Sequence, residues 1–187
     1  MARRVVVSGV LGAIVLIVWA FIANAILGLG PGISMRTVAN ERQVYDLLKA
    51  NVEAPGGYIV NPPLDQSGAF TGGEPVFSLR YSGVGHESAG IMLLFELAIA
   101  FIAAMIAAAL LWIASDRVRS SYLRRVMFFS TIGLLIGIFS DLTHFGIGGH
   151  PLSSALLLAA NSLVSWTLVG LAVSLLYRSR TPRTAGA

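Results

Sequence analysis

FFSTIGLLIGIFSDLTHFGIGGHP, residues 128 to 151, is apolar for about four helical turns and then admits an acid and two histidines before a Gly-Gly turn and a proline. Its reading decides the fold. As a membrane span ending near Ile147, it makes GIGGHP a tight turn, with Gly148 and Gly149 allowing the bend and Pro151 opening another helix. The next segment, beginning at Leu152, is again apolar for the length a bilayer requires, about 20 residues.

Four segments satisfy that length: residues 5–28, 89–115, 126–147 and 152–177. The whole chain agrees, with 187 residues of which 56% are hydrophobic and only 12% charged, against roughly 25% charged in soluble domains. The expected fold is an all-α membrane protein, an up-down four-helix transmembrane bundle joined by short connections. It divides into a first span (1–28), a long loop (29–88), and three further spans with a tail (89–187). No repeat suggests an inverted-repeat transporter.

Charge gives the orientation. Nine of the thirteen basic residues precede the first span, lie between the second and third, or follow the fourth: Arg3, Arg4, Arg117, Arg119, Arg124, Arg125, Arg178, Arg180 and Arg183. The 29–88 loop holds four basic and six acidic residues, net −2. The positive-inside bias therefore places both termini in the cytoplasm and residues 29–88 outside the cell membrane. The net charge of +4 reflects this topology, so nucleic acid is not an expected partner. MARR with Ala23-Asn24-Ala25 imitates a signal peptide, but the apolar run outlasts a signal h-region and continues through Ile26 and Leu27, so a retained helix is expected.

The loop contains ordered-looking pieces. ANERQVYDLLKANV, with Asn40 before it as cap, is predicted to form an amphipathic helix. GGYIVNPP and EPVFSLRYSG read as two strands paired across DQSGAFTGG, with ISMRTV as a possible third. Together they would form a small α+β cap resting on the outer helix ends.

Within lipid an ionisable side chain costs roughly 2.5 to 3.5 kcal/mol on insertion scales, so Glu96 and Asp141 require an account. Gly133, Gly137, Asp141 and His144 fall on one helical stripe, and Glu96, Ala100, Ala103 and Ala107 on another. Small residues mark close helix contacts. Both stripes therefore point the acids inward, predicting a polar cluster of Glu96, Asp141, His144 and Asn161. One reading has these groups simply satisfying one another. Another makes Glu96, Asp141 and His144, with His86, a metal or proton-handling set, because Asp-x-x-His leaves one helix face. His150 is read as a turn residue. The absence of cysteine excludes thiolate sites, and no cofactor is expected.

The order MARRVVVSGVLGAIVLIVW, ERQVYDLLKANV, GGYIVNPP and a late three-helix block resembles a group of uncharacterised bacterial four-span membrane proteins. That resemblance implies a fold and a location and no activity. The large first outer loop also looks like that of claudin-type proteins, without their loop cysteines. Three functions follow as expectations. The first is a non-catalytic accessory or scaffolding subunit that meets the lipid bilayer and either a membrane-protein partner or further copies of itself. The second is a small ion-handling transporter using Glu96 and Asp141, and the third a metal- or haem-binding membrane enzyme.

Overall fold

The structure is a computed structural model that describes residues 2–30, 37–146 and 149–177. It is mostly helical, with a small two-stranded sheet. Four helices are long and apolar enough to cross a membrane: Arg3–Ile26, His86–Ile113, Tyr122–His144 and Leu152–Leu176. Their regular α-helical parts are α1 (Ala2–Phe21), α3 (Ala89–Ile113), α4 (Tyr122–Ile136) and α5 (Leu152–Leu176). A short amphipathic helix, α2 (Glu41–Asn51), lies between α1 and α3.

Two of the long helices widen before they end. α1 passes into a π turn at Ile22–Ile26 and α4 into another at Gly137–Asp141, followed by a 3-10 turn at Leu142–His144. A π turn places five residues where four would sit and so turns the following side chains to a new direction. The third span also starts earlier than residue 126. Tyr122, Arg124 and Arg125 form its first turn, because the chain reverses within the single helical turn Asp116–Arg119 and Ser121.

The helices pack in the spatial order α3, α1, α5, α4: α1 lies against both α3 and α5, α5 receives α4, and α3 touches α4 only slightly. Glycine permits the tightest crossing. A Cβ on Gly133 would stand 2.7 Å from the Ser162 carbonyl oxygen and 2.9 Å from the Trp166 Cβ, so α4 can approach α5 this closely only without one. The enclosed core of Ala107, Leu111, Phe129, Trp166, Val169 and Val173 lies toward the arginine-bearing helix ends. Phe129 and Trp166 stack there, 6.5 Å apart and 8° from parallel.

In the 37–88 region β1 (Gly56–Val60) pairs antiparallel with β2 (Phe77–Tyr81), with Tyr58 opposite Leu79. The proposed strand ISMRTV falls mainly outside the described residues. Asn40 differs from the expected cap: it sits at φ 58° with no side-chain bond, and its carbonyl instead accepts from Gln43 N at 2.9 Å. Asparagine tolerates this left-handed conformation, so the backbone does the capping. Among the described residues α2 buries no residue and each strand only half-buries its central one.

Candidate functional site

The α4–α5 seam gathers several of the polar groups of the long helices. Ser162 Oγ donates to Asp141 Oδ2 at 2.6 Å. Helical side chains lean toward their own N-terminus, so on these antiparallel neighbours Asp141 and Ser162 lean toward each other along the axis. One further in, the Ser130 and Thr167 hydroxyls are 2.8 Å apart. One of the two donates across the seam and the other to its own helix: the Val126 carbonyl lies 3.1 Å from Ser130 Oγ and the Leu163 carbonyl 2.7 Å from Thr167 Oγ1, so both hydroxyl protons have an acceptor within the bundle.

Asn161 belongs to the next seam. Its Oδ1 accepts from Trp19 Nε1 of α1 at 2.9 Å, and its carbonyl accepts from Ser165 Oγ. Trp19 thus acts as a hydrogen-bonding partner within the bundle and is half-buried. His144 turns back on its own helix end, where Nδ1 lies 2.5 Å from the Ser140 carbonyl oxygen. Its carbonyl accepts from His150 N at 2.8 Å, closing the turn before α5, and the two imidazoles lie 6.4 Å apart. The Thr143 hydroxyl shares its one proton between the carbonyls of Phe139 (2.7 Å) and Ser140 (3.0 Å).

Glu96 is elsewhere. It is exposed on α3 with no hydrogen bond or ion pair among the described residues, and its helix scarcely meets α4. The structure thus places Asp141 in a bonded pair with Ser162, Asn161 in another with Trp19, His144 at its own helix end, and Glu96 apart from all three on α3. The physical reason is α1. Gly9 and Gly12 let it lie against α3, where their added Cβ atoms would meet Met105 and Ala104, and it occupies the place that α4 would need. His86 sits exposed in the 3-10 turn His86–Ser88 that opens α3. Among the described residues no three histidine or acidic side chains lie close enough to hold a metal ion.

Of the residues expected to mediate packing, Gly133 and Gly137 are buried on α5, Ala107 is buried, and Ala100 and Ala103 are half-buried. The sequence reading passed over Arg125, which is 2% exposed. Its Nη2 donates to the carbonyls of Ser174 (3.2 Å) and Tyr177 (2.9 Å), and its Nη1 donates to the Arg119 carbonyl. It thereby caps the end of α5, where the Ser174 carbonyl otherwise accepts only a long bond from Tyr177 N (3.3 Å), and it sets a positive charge at the negative end of that helix dipole. A signal existed: Arg125, Phe129, Gly133, Gly137 and Asp141 recur at steps of four, so the stripe extends two steps before its glycines and one step after them.

The chain matches no known protein family, no curated protein and no solved structure.

Proposed function

We propose that this is a non-catalytic multi-pass protein of the bacterial inner membrane that serves as an accessory or scaffolding subunit of a membrane complex. In this reading the bundle is up-down with both termini cytoplasmic, and residues 29–88 form an extracytoplasmic α+β module offered to a partner. One observation carries the reading: among the described residues Glu96 is exposed without a partner on α3, in the midst of exposed Leu93, Phe95 and Ile99. A carboxyl group facing hydrocarbon bears a cost of roughly 2.5 to 3.5 kcal/mol, which a donor from another helix would offset. The isolated chain therefore leaves α3 in want of a neighbour. Only 17% of its most apolar window is buried, against 28% for α5.

The ion-handling alternative draws less support, because α1 stands between Glu96 and the Asp141 pair. The test is extraction in mild detergent followed by mass measurement of the intact particle. A heteromeric or homomeric particle that dissociates in Glu96→Leu supports the proposal. A monomer that is stable alone and insensitive to Glu96→Leu overturns it. Orientation is tested separately in this cysteine-free chain: Gln66→Cys should react with an impermeant reagent in intact cells and Ser120→Cys should not.

A further inference from the structure

A cleft of about 300 Å³ opens between the first turns of α1 and the last turn of α5, lined by Arg3, Arg4, Val7, Ser8, Leu176 and Tyr177. We propose that it binds the headgroup of an anionic phospholipid, taking the phosphodiester between the two arginines. Arg3 and Arg4 are exposed, and among the described residues neither has an acidic partner; the single ion pair there joins Arg119 to Asp116. Ser8 is 2% exposed and donates to the Tyr177 hydroxyl at 3.4 Å, which fixes the polar floor.

A second observation concerns the charge behind that floor. The buried Arg125 guanidinium lies 5.4 Å from the centre of the Tyr177 ring, is bonded only to neutral carbonyls, and has an Nε without a partner. Three positive charges thus converge on Tyr177 with no described counter-ion, a field that favours an anion. Guanidinium groups suit the paired oxygens of a phosphodiester.

The walls select a lipid over a soluble anion. Val7 and Leu176 are 45% and 47% exposed, and they continue into exposed Val6, Val10 and Leu175 on the faces of α1 and α5. An acyl chain leaving the cleft would lie along that surface, whereas free phosphate would leave it uncovered. The volume is at the lower end of the range for small-ligand sites and matches a headgroup, not a whole lipid.

The inference rests on the membrane reading but not on the subunit role, so lipid retained by a chain that purifies alone would cost only the latter. The experiment uses the full chain in mild detergent, titrated with phosphatidylglycerol or with phosphatidylcholine of the same acyl chains and read by native mass spectrometry. Phosphatidylglycerol should be retained more than about tenfold better, and Arg3→Gln/Arg4→Gln should remove about tenfold or more of that preference. Arg117→Gln, an exposed arginine outside the cleft, should leave it unchanged. Wild-type binding should weaken as ionic strength rises, a measurement that stands even if the double variant folds poorly. Equal retention of the two lipids, an unchanged double variant, an equal loss in Arg117→Gln, or displacement by equimolar inorganic phosphate would each overturn the proposal.

Discussion

The α4–α5 seam and α3 solve the same problem in opposite ways. Along the seam, glycine brings the backbones together and the polar groups that lipid would penalise meet across it, as Ser162 meets Asp141 and Ser130 meets Thr167. Along α3 an acid of equal cost, Glu96, has no partner and its neighbours face outward. The difference teaches that a small-residue stripe and an acid on one helix do not by themselves define a polar interior. What matters is which helix the stripe receives.

The largest expected effect breaks the seam. Gly133→Leu would drive a side chain into the Ser162 carbonyl and Trp166, contacts that backbone rather than flexible atoms must relieve. It should destabilise the protein by about 3 kcal/mol, the upper part of the overpacking range, measured by steric trapping or reversible unfolding in detergent. Ala98→Leu, on the exposed side of α3, should change stability by no more than about 0.5 kcal/mol. Equal effects would remove the contrast. Arg125→Met comes next, because it keeps the apolar stem and strips the caps from the Ser174, Tyr177 and Arg119 carbonyls. Losing these charged bonds should cost about 1 to 3 kcal/mol in the same assay, although the Ser174 carbonyl keeps the Tyr177 N–H, with little rescue by Arg125→Lys, since an ammonium lacks the fork that reaches both helix ends.

Much of this architecture was legible from hydropathy and alternation. The four long helices, the amphipathic helix and the two strands each follow from local pattern, which burial reinforces without rearranging. What was not legible is pairing. Gly133 and Gly137 announce a close neighbour but not that it is α5, and the alanine-rich run of α3 announces one that proves to be α1, met at Ala104 and Met105. The π turn at Gly137–Asp141 has no sequence signature, yet it aims Asp141 at Ser162. Arg125 was hidden by its charge, since a run of arginines reads as a solvated loop until the four-residue step is followed back through Phe129.

A sharper version of the comparison exchanges the acids themselves. Asp141→Asn keeps an acceptor for Ser162 and should be nearly neutral, whereas Asp141→Leu strands that hydroxyl and should cost about 1 kcal/mol. Glu96→Leu should leave the stability of the single chain unchanged or raise it, because no internal bond is lost, while reducing association with whatever covers α3. Loss of chain stability in Glu96→Leu would show that Glu96 has an internal partner after all, and the contrast between the two regions would fail.

The smallest effect tests whether an acid held by its own turn behaves as the contrast requires when no membrane surrounds it. Asp65, in the loop between β1 and β2, accepts at one oxygen from Ser67 Oγ (2.6 Å), Ser67 N (2.8 Å) and Ala69 N (3.1 Å). The Ser67 hydroxyl, followed by the Ala69 amide, holds its carboxyl below the ordinary value of 3.8. These bonds favour the ionised form. The sign follows from linkage: the folded group loses its proton more readily than the unfolded one, so the turn's extra stability is fully present above pH 3.8 and is lost as pH falls through the depressed folded value. The carboxylate is fully exposed, so the effect is confined to the turn and leaves the helices unmoved. Amide exchange at Ser67 and Ala69 should therefore accelerate in acid beyond the intrinsic trend, and Asp65→Ala should show that fast exchange at every pH. Exchange at these two amides that follows only the intrinsic pH trend would mean that the carboxylate does not hold the turn.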